Sequence, residues 1–508
     1  MSSRSERGAS ASRGVVTVAN VGIQLGIVTA YLLVALAVGL LAYRVTDRTA
    51  EDYYLASRTF GTVVLLFTTF ATLLSAFTFF GGPNISAGAG PEWILVMGTM
   101  DGIIFAILWY VIGYKQWLLG QREGYLTLGE MLGDRFGSTA LRVLVAAVSI
   151  FWLFPYVMLQ QQGAGTALVA LTEGAVPYWV GAGGITLFMI VYVTLAGMRG
   201  VAWTDTLQGL FMLVMVWGAF VWVLAAVGGP TAATSKLANT NPEFLTLGGG
   251  LYSPQYVIST AVSIAFGVAM FPQVNQRFFV AESKTVLKRT FALWPVLVIL
   301  LFVPAFMLGT WAAGYGVSPA DGNVLPLLLN EFTPGWFAAL VVAGAMAAMM
   351  SSSDSMLLSG SSYLTRDIYR QVVSTATQRR EDLLARIGVA LFAVLTFIAS
   401  LFQPGTLVEI GDTAFGGFAQ LTLPVVVALY WTGTTRKGML AGVLGSQTFY
   451  LASVFVPLVP SSYLGGWSAS IVGMVLCLTL TVGVSLATAA APEENTSRFS
   501  NLQATDAE

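Results

Sequence analysis

Long apolar runs broken by short polar stretches repeat along the chain from Val18 to Ala491. Each run reaches the roughly 18–20 residues that a helix needs to cross a bilayer. Setting runs against breaks predicts about thirteen spans: 20–43, 61–82, 92–114, 141–169, 176–198, 201–228, 253–276, 290–315, 335–363, 385–403, 410–431, 438–458 and 465–490. The narrowest break, Met198-Arg199-Gly200, separates the fifth span from the sixth. The predicted fold class is an all-α polytopic membrane protein.

Composition strengthens that reading. Of 508 residues, 56% are hydrophobic and 10% charged, against roughly a quarter charged in soluble domains. Net charge is −1, so no global field draws nucleic acid or anionic lipid. One cysteine, Cys477, and no histidine exclude an intramolecular disulfide, a cysteine metal site, imidazole relays and histidine-based acyl transfer. The expected partners are a small solute and the lipid bilayer, with no nucleic acid and no evident obligatory protein partner.

Charge sets the orientation. With the Arg44–Arg58 loop cytoplasmic, alternation puts twenty of the 24 Lys and Arg on the cytoplasmic side and only Lys236 in an outer loop. This positive-inside bias places the N-terminus outside and the C-terminus inside a cell membrane. Residues 1–19 and 492–508 are polar and are expected to be disordered tails.

Two spans are interrupted: the second at Leu73-Leu74-Ser75-Ala76 and Gly81-Gly82-Pro83-Asn84, the seventh at Gly267 and Phe271-Pro272-Gln273-Val274-Asn275. They lie five spans apart and so cross in opposite senses. Broken helices at matching positions of two inverted halves mark a transporter's binding site, because the breaks free backbone groups for an ion or solute. The alternative is that glycine and proline are simply frequent in membrane helices.

Asp101, Asp205 and Asp354 fall inside spans with no basic partner expected there, so cations or protons are their expected counter-charge. Asp101 sits in the outer half of its span, within reach of vestibule water; Asp205 is near enough to a helix start to cap it. The richest polar stretch is Ser351-Ser352-Ser353-Asp354-Ser355. Ala348, Ser351 and Ser352 share one helix face, and Ser351, Asp354 and Ser355 the adjoining one. Hydroxyls, carbonyls and a carboxylate are hard ligands suited to sodium; one serine alone would more simply bond back to its own helix.

At these residues the chain resembles the sodium:solute symporter family, which includes proline, pantothenate, galactose and sialic acid transporters. The likeness is carried by Asp52-Tyr53-Tyr54-Leu55-Ala56-Ser57-Arg58, by Gly197-Met198-Arg199-Gly200 through Trp203-Thr204-Asp205, by Pro272 to Arg277 with Ala281-Glu282-Ser283, and by Ala348 to Tyr369. The resemblance implies a LeuT-like core of two inverted five-helix repeats, 61–228 and 253–431, with a flanking helix at 20–43 and two more within 438–490. It implies a sodium site from the carbonyls of Ala71, Leu74 and Ala348 and the hydroxyls of Ser351 and Ser352, of which the helix-face argument reaches the last three by itself. It implies a solute site lined by Ser75, Thr78, Gln160, Gln161, Val268 and Gln420. A second cation is expected among Asp205, Ser351, Asp354 and Ser355, since two nearby carboxylates in low dielectric hold a cation or share a proton.

Where the proline transporter carries an aromatic pair, this chain has Ile264 and Val268, and where the sugar transporter uses Gln and Tyr it has Thr78 and Gly267. A sugar needs many hydrogen bonds, so the pocket suits a carboxylate or amino-acid-like solute, imported with Na+ by alternating access. Rival readings are proton coupling through Asp205 or Asp354, a passive channel, a transport-fold sensor and a membrane enzyme. A channel would want rings of like residues, a sensor an appended domain, and an enzyme a nucleophile paired with a base.

Overall fold

The computed structural model describes residues 3–43, 58–373, 377–489 and 493–500. The Asp52–Ser57 part of the motif above, residues 490–492 and the extreme ends of both tails lie outside them. Helices dominate in this order: α1 (Ser3–Tyr43), α2 (Thr62–Leu73), α3 (Phe77–Ala89), α4 (Ile94–Glu123), α5 (Leu128–Phe136), α6 (Thr139–Leu171), α7 (Tyr178–Ala226), α8 (Pro230–Thr240) and α9 (Pro254–Ala269). The second half continues with α10 (Pro272–Phe279), α11 (Lys284–Gly314), α12 (Val324–Phe332), α13 (Gly335–Val372), α14 (Gln378–Ser400), α15 (Leu407–Tyr430), α16 (Arg436–Phe455), α17 (Ala469–Leu486) and α18 (Glu493–Ser500). Among the described residues the paired strands are a short antiparallel hairpin, Ser462–Tyr463 with Trp467–Ser468.

The polar breaks start helices by capping them. Thr127, Ser138, Ser283 and Ser468 each accept a backbone N–H of the helix that follows, and Thr406 with Glu409 forms a capping box at the head of α15, satisfying donors the first turn leaves free. Ten helices are long and apolar enough to cross a membrane, and twelve spans result if each of two bent pairs counts once. The predicted thirteenth is not reproduced as a separate long helix: α7 runs on for 49 residues, and its Tyr178–Thr194 part is a shorter apolar segment. Yet α7 cannot be straight. Tyr192 and Thr204 share a hydroxyl hydrogen bond, although twelve residues of straight helix would hold them about 18 Å apart. The chain therefore bends between Tyr192 and Thr204, the stretch that holds the polar break of the sequence.

The bent pairs are α2 with α3, at 62°, and α9 with α10, at 56°. They open the two repeats predicted for 61–228 and 253–431. Outward faces are apolar: Leu383, Ile387, Leu391 and Leu395 are exposed at every fourth residue of α14, one helix face turned toward lipid. Inside, the polar residues collect around the breaks.

The tails depart from expectation. α1 begins at Ser3 rather than near residue 20. The region expected as a disordered C-terminal tail contains α18, whose Phe499 is buried with the Arg135 guanidinium over its ring; one aromatic among polar residues was too weak a signal to show this docking in the sequence.

Candidate functional site

The helix break after Leu73 comes first, because it creates the chemistry. Leu74 leaves helical geometry with φ −78° and ψ 135°, so carbonyls of the last turn of α2 lose their in-helix partners. Ser351 and Ser352, one turn below Ala348 on α13, meet them. Ser351 Oγ donates to Ala71 O at 2.7 Å and lies 3.1 Å from Ala348 O. Ser352 Oγ donates to Thr72 O at 2.8 Å and also contacts Leu74 O. All five oxygens named from the resemblance thus sit in two hydrogen-bonded sets, one on each of these adjacent serines, and all five residues are almost fully buried. The set is neutral, hard and multidentate, which suits an alkali cation and not a transition metal. Thr72 O joins it, unpredicted.

The break is held from the other side by α6. Gln160 Oε1 accepts Ala76 N at 2.9 Å while its amide donates to Tyr156 O, and Tyr156 shares a 3.0 Å hydroxyl contact with Ser75. Beside the break lies a cavity of about 30 Å³, room in this conformation for about two waters. Leu73, Leu74 and Thr78 form one wall, Ile264 and Val268 of α9 another. Aromatic rings of Phe77, Tyr156, Trp294, Phe302 and Phe415 close much of the rest, and Asp101 supplies its one charge.

Of the six residues predicted to line the solute site, Thr78 and Val268 line this cavity. Ser75 stands behind Tyr156. The three glutamines do not line this cavity. Gln160 serves the break, Gln161 donates to Thr186 Oγ1 and Ala393 O, and Gln420 donates to Gly416 O and Ser470 O. A buried amide satisfies backbone groups as readily as a solute, and the sequence does not distinguish the two uses. Tyr156, one turn from Gln160, and Phe415 were missed; the i, i+4 spacing from Gln160 was the available signal for the first.

The expectation that the buried acids lack a basic partner is corrected. Arg277, expected in a cytoplasmic loop, is fully buried, and its Nη2 lies 3.2 Å from Asp205 Oδ2, 2.7 Å from Thr72 Oγ1, 2.6 Å from Ser355 Oγ and 3.3 Å from Thr68 Oγ1. Thr68 Oγ1 also donates to Asp205 at 2.7 Å. The break ahead of Pro272 turns α10 inward and carries Arg277 with it. Asp205 is therefore not a helix cap, and the cation beside Asp205 and Ser355 is the protein's own guanidinium. Asp354 is buried with its Oδ1 unpartnered among the described residues; Ser351 belongs to the first cluster.

The motif near Tyr369 has a separate task. Asp367 accepts Arg142 Nε at 2.7 Å, and Glu130 accepts Arg142 at 3.1 Å and Arg366 at 2.7 Å. These pairs clamp α5 and α6 to the end of α13, the side on which basic residues concentrate.

The model of the sodium:solute symporter family matches residues 53–445. The sodium/pantothenate symporter of Escherichia coli K12 is 28% identical over 450 residues, covering 85% of this chain and 92% of that protein. The sodium/proline symporter of Haemophilus influenzae is 28% identical over 461 residues, covering 84% and 88%. Among solved structures, a Na+-coupled sialic acid symporter in a substrate-bound outward-open state superposes with a TM-score of 0.77 at 20% identity, over 92% of this chain and 98% of that one. The fold is thus that of the LeuT-like transporters, in which the flanking helices surround two repeats.

Proposed function

This chain belongs to the sodium:solute symporter family, and from that premise we propose that it imports a small carboxylate or amino-acid-like solute together with Na+ by alternating access across the cell membrane, with its N-terminus outside and its C-terminus cytoplasmic. The observation that carries the proposal is the five-oxygen cluster of Ala71, Leu74, Ala348, Ser351 and Ser352 at the break of α2. Those hydroxyls now donate to the carbonyls. Turning each hydroxyl hydrogen about its Cβ–Oγ bond frees the oxygen lone pairs, so that a cation would replace the hydrogen bonds with ion–dipole contacts.

Coupling follows from Leu74. Its carbonyl belongs to the ion cluster while the residue also forms a wall of the solute cavity. Sodium at the cluster ties α2 to α13 and fixes that wall, so solute binds a more ordered cavity. Linkage makes the effect reciprocal, and couplings of this kind run to about 1–3 kcal/mol, about 5–150-fold in affinity.

Arg277 bears on the ion count. With a guanidinium within 3.3 Å of Asp205, Thr68, Thr72 and Ser355, a second mobile cation there would meet a fixed positive charge at close range. That supports one sodium per cycle, and it weighs against a proton carried on Asp205. The test is uptake into proteoliposomes of candidate carboxylates and amino acids under an inward sodium gradient. Accumulation that persists when potassium replaces sodium on both sides would sink the sodium-coupled reading.

A further inference from the structure

Asp101 is the element that the sodium cluster and the ion pairs leave unexplained. Its carboxylate is more than nine-tenths buried, its Oδ1 has no hydrogen-bond partner among the described residues, and it lines the cavity beside the broken helix. A buried, unpaired carboxylate is costly, and it persists in membrane proteins where something else pairs with it. No lysine or arginine lines the cavity, so the partner does not come from the wall itself.

The remaining wall is chosen for one kind of partner. Tyr156, Trp294, Phe105 and Phe415 bring aromatic rings to the same space, and ring faces attract cations, most of all cations already dressed in carbon and poorly hydrated. A solute whose sole charge is a carboxylate would instead face Asp101 across a low-dielectric gap and be repelled. The sodium cluster behind Leu74 carries only neutral ligands, so bound sodium leaves a positive charge on that side. The cavity is thus polarised, positive at the break and negative at Asp101, which is the pattern a zwitterion reads.

We infer that the solute carries a positively charged nitrogen, a secondary amine or alkylated ammonium, seated against Asp101 and the aromatic rings, with any carboxylate turned toward the break. This rests on the reading of the cavity as the solute site, and it narrows the proposed solutes to nitrogen-bearing ones.

Matched pairs that differ only in that nitrogen test it: glycine betaine against 3,3-dimethylbutyrate, L-proline against cyclopentanecarboxylate, and choline against 3,3-dimethylbutan-1-ol. Binding to the purified full-length protein is followed by thermal stabilisation and titration in sodium chloride and in potassium chloride, since amine replacement salts are themselves candidates. At least one nitrogen member should bind about tenfold or more tighter than its carbon twin, and Asp101→Asn should erase that preference, while sodium's own stabilisation of the variant reports that it is folded. Carbon twins binding as well as their partners overturn the inference without needing the variant. So does a preference that survives Asp101→Asn, or a failure of every nitrogen member to bind while sodium still stabilises the wild type. Sodium failing to stabilise the wild type counts against sodium coupling instead, and the same pairs measured in potassium still decide for or against the nitrogen.

Discussion

The Ser352 hydroxyl donates to the carbonyl of Thr72 at 2.8 Å, while the hydroxyl of the same threonine stands 2.7 Å from Arg277. One residue in the last turn of α2 therefore belongs both to the neutral oxygen cluster and to the buried ion pair. A displacement of α2 relative to α13 disturbs both at once.

Removing the cluster's hydroxyls should weaken the ion and little else. Ser351→Ala and Ser352→Ala each delete one oxygen that the helix has no means to replace, and each should raise half-saturating sodium about tenfold or more, the range of a lost charge-assisted contact. Sodium-dependent stabilisation of the purified protein measures this without a known solute. An unchanged sodium midpoint in both variants would remove these hydroxyls from the mechanism.

Arg277→Gln leaves Asp205 buried without its cation. Breaking a buried pair from one side costs roughly 3–5 kcal/mol, so this variant should unfold at distinctly lower temperature. The double change with Asp205→Asn should recover part of the loss, because neither charge is then stranded. Additive losses in the double variant would show that the two do not act as a pair.

Asp354→Asn should leave the sodium Hill coefficient near one, as in the wild type, because the guanidinium already fills the place beside Asp205. A wild-type coefficient near two, falling in this variant, would restore a second mobile ion.

Gly267 marks a close crossing of α9 and α15. A Cβ there would stand 2.3 Å from the backbone oxygen of Phe415, and backbone does not yield as a flexible side chain does. Gly267→Ala should abolish solute binding or prevent folding, whereas alanine at exposed Gly184, where nothing lies within 4 Å, should be neutral. Normal solute affinity in the Gly267 variant would contradict this packing.

Gln160→Ala leaves the Ala76 amide unpaired at the break and should weaken sodium and solute together. Gln161→Ala, which removes contacts to Thr186 and Ala393, should leave solute affinity as it is. Solute affinity lost in the second variant alone would move the solute site toward α14.

What was readable in the sequence follows the range of the forces involved. Spans were readable because each apolar run must by itself satisfy the bilayer, and the breaks because Gly and Pro act on their own backbone. Ala348, Ser351 and Ser352 were readable because helical spacing fixes a shared face. Arg277 was not: the seventh span was expected to end one residue before it, and a basic residue at the edge of an apolar run looks the same whether the chain leaves the membrane or turns inward. The contacts of the glutamines were not readable for a related reason. Their hydrogen bonds go to Ala76, Ala393, Gly416 and Ser470, partners that only the packed helices bring near.

The neutrality of the Ala71–Ser352 cluster gives the cycle an electrical signature. Asp205 and Arg277 cancel one another whether or not an ion is bound, and none of the five proposed sodium ligands carries charge. A zwitterionic solute adds nothing, so the loaded form differs from the empty one by one elementary charge. One elementary charge is thus carried per turnover, worth about 2.3 kcal/mol per 100 mV over the full field. A cell holding a negative interior would drive that charge inward with each turnover, whichever crossing carries it.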